Sequence, residues 1–113
     1  MKRLLLVVAS LGLTASVAVP AAQDSPEVVA GRAVFAQKKC VMCHLAEGKG
    51  NKKYTLHGLA AKMSDADIRK WLTAPADMEK KLKAPPKPSM SSKMTALKAA
   101  EVDALVAYIK SLK

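Results

Sequence analysis

The chain is short of aromatic side chains: Phe35, Tyr54, Trp71 and Tyr108 are the whole set in 113 residues. A core so poor in large rings needs another source of apolar bulk or must stay small. Imidazole and thiolate metal donors are equally scarce, with only Cys40, Cys43, His44 and His57. That set could make one Cys2His2 zinc site at most, and the thirteen-residue step from His44 to His57 spaces it badly. Acidic residues number 9 against 19 lysines and arginines, for a formal charge of +10. No internal repeat, low-complexity tract or convincing strand pattern is present. No apolar run reaches the ~20 residues that span a bilayer.

What the chain does have begins at its first residues. Met1-Lys2-Arg3 precedes an apolar stretch from Leu4 to Val19, and small residues follow at Val19-Pro20-Ala21-Ala22. A basic start, a short apolar core and small residues near a cut describe a secretory signal peptide. We therefore expect residues 1–22 to be a signal peptide and residues 23–113 to form one domain, exported to the periplasm without stable membrane insertion. Without Lys2 and Arg3 the formal charge falls from +10 to +8. An exported chain seldom meets nucleic acid and no basic patch is interleaved with aromatics, so we expect none to bind. The balance instead suits docking onto acidic faces of partner proteins.

The most specific feature is Cys40-Val41-Met42-Cys43-His44. Two thiols and an imidazole at this spacing form an attachment site for c-type haem. Residues i, i+3 and i+4 share one face of a helical turn, so both sulfurs can meet the haem vinyl groups while His44 rises toward the iron. A thioredoxin-like redox pair would want a strand before the motif, and here Pro26 to Lys39 reads as helix. A plain disulfide would leave His44 without a role.

Local signals describe an all-α domain. Ser25, Pro26 and Glu27 start a helix that runs into the haem motif. Glu47 to Lys53 reads as a Gly- and Lys-rich loop. Ser64 with Asp67 caps a second helix, whose buried side holds Ile68, Trp71 and Leu72 and which Pro75 ends. A short helical turn is expected within residues 77–82, followed by a proline-stiffened strap from Lys83 to Met90. The last helix runs from about Ala99 to Leu112, with Val102, Leu105, Val106, Ile109 and Leu112 on one stripe.

With these residues in view, the chain resembles the small single-haem class I cytochromes c of bacterial periplasms. The resemblance rests on Gly31-x-x-x-Phe35, the haem motif, Trp71-Leu72 before Pro75, the proline-rich strap with a late methionine, and Leu105-Val106-Ala107-Tyr108-Ile109-x-x-Leu112. It implies a cytochrome c fold of about four short helices around one covalent haem c. In the family the first and last helices cross closely, a contact Gly31 would permit. It also implies a non-enzymatic carrier of single electrons between redox proteins, acting as a monomer or as a subunit of a larger complex.

The family's second axial ligand is a methionine from the strap. A thioether is soft and favours ferrous iron. Met42 lies within the motif, turned from the iron, while Met63 and Met78 suit packing. Met90 and Met94 remain, and we expect Met90, the first sulfur after Pro85-Pro86-x-Pro88, with Met94 as second choice. The family's usual Met-Pro pair is absent. His57 reads as a surface-loop residue. The expected docking charges are Lys38, Lys39, Lys49, Lys52, Lys53, Lys83 and Lys87. Two rival readings are an open-site haem sensor or peroxidase-like protein, and a haem-free thiol oxidoreductase.

Overall fold

Three of the five helices among the described residues start at a serine whose side chain satisfies one of the first free N–H groups. The computed structural model describes residues 23–113, with Ser16 and Ala18 as isolated positions before them; the expected signal peptide lies outside the described residues. Helix α1 spans Pro26–Gln37 and α2 spans Asp65–Thr73. Helix α3 spans Pro75–Glu79, α4 is the single turn Met90–Lys93, and α5 spans Ala99–Ser111. Ser25 Oγ accepts from Val28 N at 3.3 Å, and Ser64 Oγ accepts from Asp67 N at 3.2 Å. Single 3₁₀ turns occupy Cys40–Met42, Lys52–Tyr54 and Leu59–Ala61. Among the described residues there is no named strand, only isolated bridges from Leu45 to Thr55 and from Ala46 to Lys49. The fold is the all-α one expected from the sequence.

Helices α1 and α5 form the central crossing. The apolar stripe of α5 is buried as its spacing requires: Val102, Leu105, Val106, Ile109 and the following Leu112 are each 5% exposed or less. Gly31 makes the crossing possible. A Cβ built there would strike the backbone carbonyl of Ala104 and come within 2.5 Å of Tyr108 Cβ. Phe35 meets Tyr108 edge to face, with ring centroids 5.5 Å apart, the arrangement that ring quadrupoles prefer. Ion pairs from Arg69 to Asp103 and from Lys110 to Asp65 tie α2 to α5 at its rim. They are exposed, so they set register more than they add stability.

Two details differ from the simple strap that the sequence suggests. Pro75 opens α3 after a one-residue break at Ala74 instead of merely closing α2. The proline segment also does not stay extended through Met90. Ser89 Oγ accepts from Ser92 N at 3.3 Å, and the chain folds into α4. Among the described residues no helix is long and apolar enough to cross a membrane.

Candidate functional site

The site grows from the turn after α1. Lys39 takes a left-handed conformation (φ 57°) that redirects the chain out of the helix. The N–H groups of Cys43 and His44 then both donate to the Cys40 carbonyl, at 3.1 and 3.0 Å. One carbonyl thus gathers the three motif residues into a single turn, and all three line one crevice. Met42 is 73% exposed, turned away as expected. Gly50 (φ +107°) backs the turn so closely that a Cβ would strike the His44 carbonyl and lie 2.8 Å from that of Val41.

His44 is oriented by a second hydrogen bond. Its Nδ1 lies 3.1 Å from the Tyr54 carbonyl, which can only accept, so Nδ1 carries the proton and the Nε2 lone pair is left for a metal. Burial pushes the His44 pKa down, with the Tyr54 carbonyl opposing, so the ring favours its neutral, ligating form. Burial also pushes the Cys40 thiol up, with Cys43 adding to the effect and the backbone and Lys38 working against it. A half-buried thiol whose pKa is pushed up is the opposite of the low-pKa nucleophile that a thiol oxidoreductase needs.

The crevice has a volume of about 940 Å³, near the top of the ~300–1,000 Å³ typical of cofactor and ligand pockets. Phe35, Leu59, Ile68, Trp71, Leu105 and Ile109 contribute apolar walls. Three sulfurs also line it: Met63, Met90 and Met94. Met63 and Met94 pack against the buried core, and Met90 does not. A large apolar slot with two thiols and an oriented imidazole at one wall fits a covalently attached porphyrin.

His57 lies outside this crevice. Its Nε2 accepts from the Glu47 N–H at 2.9 Å, and its Nδ1 donates to the Lys113 carbonyl at 3.0 Å. With both nitrogens engaged it clasps the loop after the motif to the end of α5, and it is not placed to complete a zinc site. Among the described residues no group of three or more His, Cys, Asp or Glu side chains could hold a metal ion.

Of the expected docking lysines, Lys38, Lys39, Lys53 and Lys87 line the crevice, whereas Lys49, Lys52 and Lys83 do not. Lys38 is paired with Glu101 at 3.1 Å. Lys93 also lines the crevice and was missed, because its place on a helical turn was not expected. A polar cluster was missed as well. Arg32 binds the Glu47 carboxylate through Nε and Nη2, and the Tyr108 hydroxyl donates to Glu47 Oε2 at 3.0 Å. These residues are 15 and 61 positions apart, and no local sequence pattern signals such a contact.

A protein-family model described as Cytochrome c matches residues 28–113. No curated protein and no solved structure matched the chain.

Proposed function

The chain belongs to the cytochrome c family, and from that premise we propose that it is a periplasmic, six-coordinate His/Met carrier serving acidic redox partners. Family membership makes it a haem-binding electron carrier with covalent haem c. The observation that carries the finer reading is the convergence of Cys40, Cys43 and an oriented His44 on one wall of a crevice of about 940 Å³. Bound haem supplies a one-electron iron couple. The chain's part is to hold and tune it. Cys40 and Cys43 would provide the thioether attachment, and His44 Nε2 would provide a nitrogen ligand to the iron. The apolar walls keep water from the metal and raise the cost of net charge there.

For the distal position we propose Met94 in place of Met90. Both sulfurs line the crevice, but only Met94 also packs against the core, which holds a side chain to one position. The reading of the chain as exported is supported by its basic, then apolar, first residues. Docking is supported by the lysines around the crevice.

The test is intact mass and an absorption spectrum of the protein from cells competent in haem attachment. The mass should exceed that of the polypeptide by one haem, and acid–organic extraction should leave the colour with the protein. Extractable colour or a colourless product would falsify the assignment of Cys40 and Cys43. High-spin iron that binds carbon monoxide readily in the untreated protein would favour an open-site sensor over a carrier.

A further inference from the structure

Among the described residues Glu79 is the one buried charged side chain, 8% exposed at the end of α3. Its carboxylate reaches across to the first residues of α4. One oxygen accepts from the Ser91 backbone N–H at 3.0 Å, and the other accepts from the Ser91 hydroxyl at 2.8 Å. These donors, the Ser91 N–H first, hold the carboxyl below the usual carboxylate range despite its burial.

Apart from the Ser89 cap and the packing of Met94 on the core, the turn it holds has little else to fix it. Helix α4 has four residues, far below the length at which a helix is stable alone. None of its residues is buried. A proline segment precedes it and an irregular segment, residues 95–98, follows it. Yet it carries two of the crevice sulfurs, Met90 at its first position and Met94 at its C-cap, linked by a Met94 N–H to Met90 carbonyl bond of 2.9 Å.

We infer that Glu79 is a positioning residue, which pins α4 through Ser91 so that its methionine stays over the haem face and closes the iron to outside ligands. The inference rests on the reading of α4 as the source of the distal sulfur. A charged acceptor suits this task because hydrogen bonds to a carboxylate are about twice as strong as neutral ones. An apolar side chain in its place would leave the Ser91 N–H and the Ser91 hydroxyl without their shared acceptor.

The experiment uses the haem-loaded protein and its Glu79→Ala, Glu79→Gln and Ser91→Ala variants. The readouts are the far-red methionine–iron band of the ferric form and carbon monoxide affinity of the ferrous form. Covalent haem content and helical circular dichroism serve as folding controls. Glu79→Ala should weaken the band and raise carbon monoxide affinity about tenfold or more. Glu79→Gln, whose amide oxygen still accepts, should recover part of the band, and Ser91→Ala should show a smaller loss than Glu79→Ala. Should Glu79→Ala fail to fold, the Gln and Ser91 variants carry the comparison. Variants that lose thermal stability while keeping a full band and a closed iron would overturn the inference and leave methionine ligation standing. A wild-type protein without the band would remove the ligation reading, and the inference with it.

Discussion

Gly31 of α1 lies so close to Tyr108 of α5 that a methyl group at position 31 would sit 2.5 Å from Tyr108 Cβ. The obstacle is mostly backbone, since the Ala104 carbonyl is nearer still. The helices must therefore separate to admit any side chain. Gly31→Ala should destabilise the folded domain by about 3 kcal/mol, at the upper end of overpacking costs, despite the better helix propensity of alanine. Chemical denaturation followed by circular dichroism measures this. An unchanged midpoint would mean the crossing adapts more freely than its geometry suggests.

Gly50 makes a parallel prediction at the haem-bearing turn. Its φ of +107° and its approach to the His44 carbonyl leave no room for a side chain. Gly50→Ala should reduce the yield of covalently loaded protein, because the turn that presents Cys40, Cys43 and His44 must shift. Gly48 has a positive φ too, but open space around it. Gly48→Ala should therefore cost some stability through backbone strain and leave haem loading largely intact. Haem content per polypeptide, measured for both variants, separates the two effects.

Much of this architecture was legible in the sequence because its signals are local. Ser25 and Ser64 cap their helices where expected, and the α5 stripe is buried as its spacing requires. The region around α4 was less legible. Glu79-Lys80-Lys81 has the composition of a solvated turn, and nothing local reveals that Glu79 folds inward to Ser91. The three prolines argued for an extended strap, while the decisive capping signal was the smaller one of Ser89 with Ser92. Nothing local says which of Met90 and Met94 meets the core, since that is a tertiary fact.

Tyr108 gives the fold a defined alkaline limit. Burial, followed by donation of its hydroxyl to Glu47 and the charge of that carboxylate, pushes its pKa up from 10.0 to about 12. A phenol whose folded pKa is raised stabilises the fold fully below the unfolded value and progressively less above it. Stability should thus fall as pH rises from 10.0 to about 12, by about 2–3 kcal/mol at the far end. Tyr108→Phe should be less stable at neutral pH and should lose this component of the alkaline slope. Denaturation midpoints at several pH values test both, and a slope unchanged by the substitution would assign it to other groups.

The lysines lining the crevice should govern encounter with an acidic redox partner. Electron exchange should slow with added salt, since screening shortens the reach of charge to ~8 Å at physiological ionic strength. Lys53→Glu and Lys93→Glu should slow association more than Lys52→Glu, because Lys52 does not line the crevice. Lys38→Glu is a different case: it would break the pair with Glu101 and set two carboxylates together, so its effect should include lost stability. Stopped-flow rates across a salt series distinguish these outcomes, and a salt-independent rate would reduce the lysines to a solvated surface.

The distal ligand gives the sharpest contrast. Met94 is half-buried against the core and lines the crevice, so its replacement should act on the iron as well as on packing. Met94→Ala should abolish the far-red band of the ferric protein, lower the reduction potential and admit carbon monoxide to the ferrous form. Loss of the soft thioether removes its preference for ferrous iron, which sets the sign of the potential change. Met90→Ala should keep the band and cost about 1 kcal/mol, a fraction of the ~2–5 kcal/mol for a fully buried methionine. The opposite result would make Met90 the ligand, with Met94 serving the core alone. A band that survives both substitutions would direct attention to Met63, the third methionine lining the crevice.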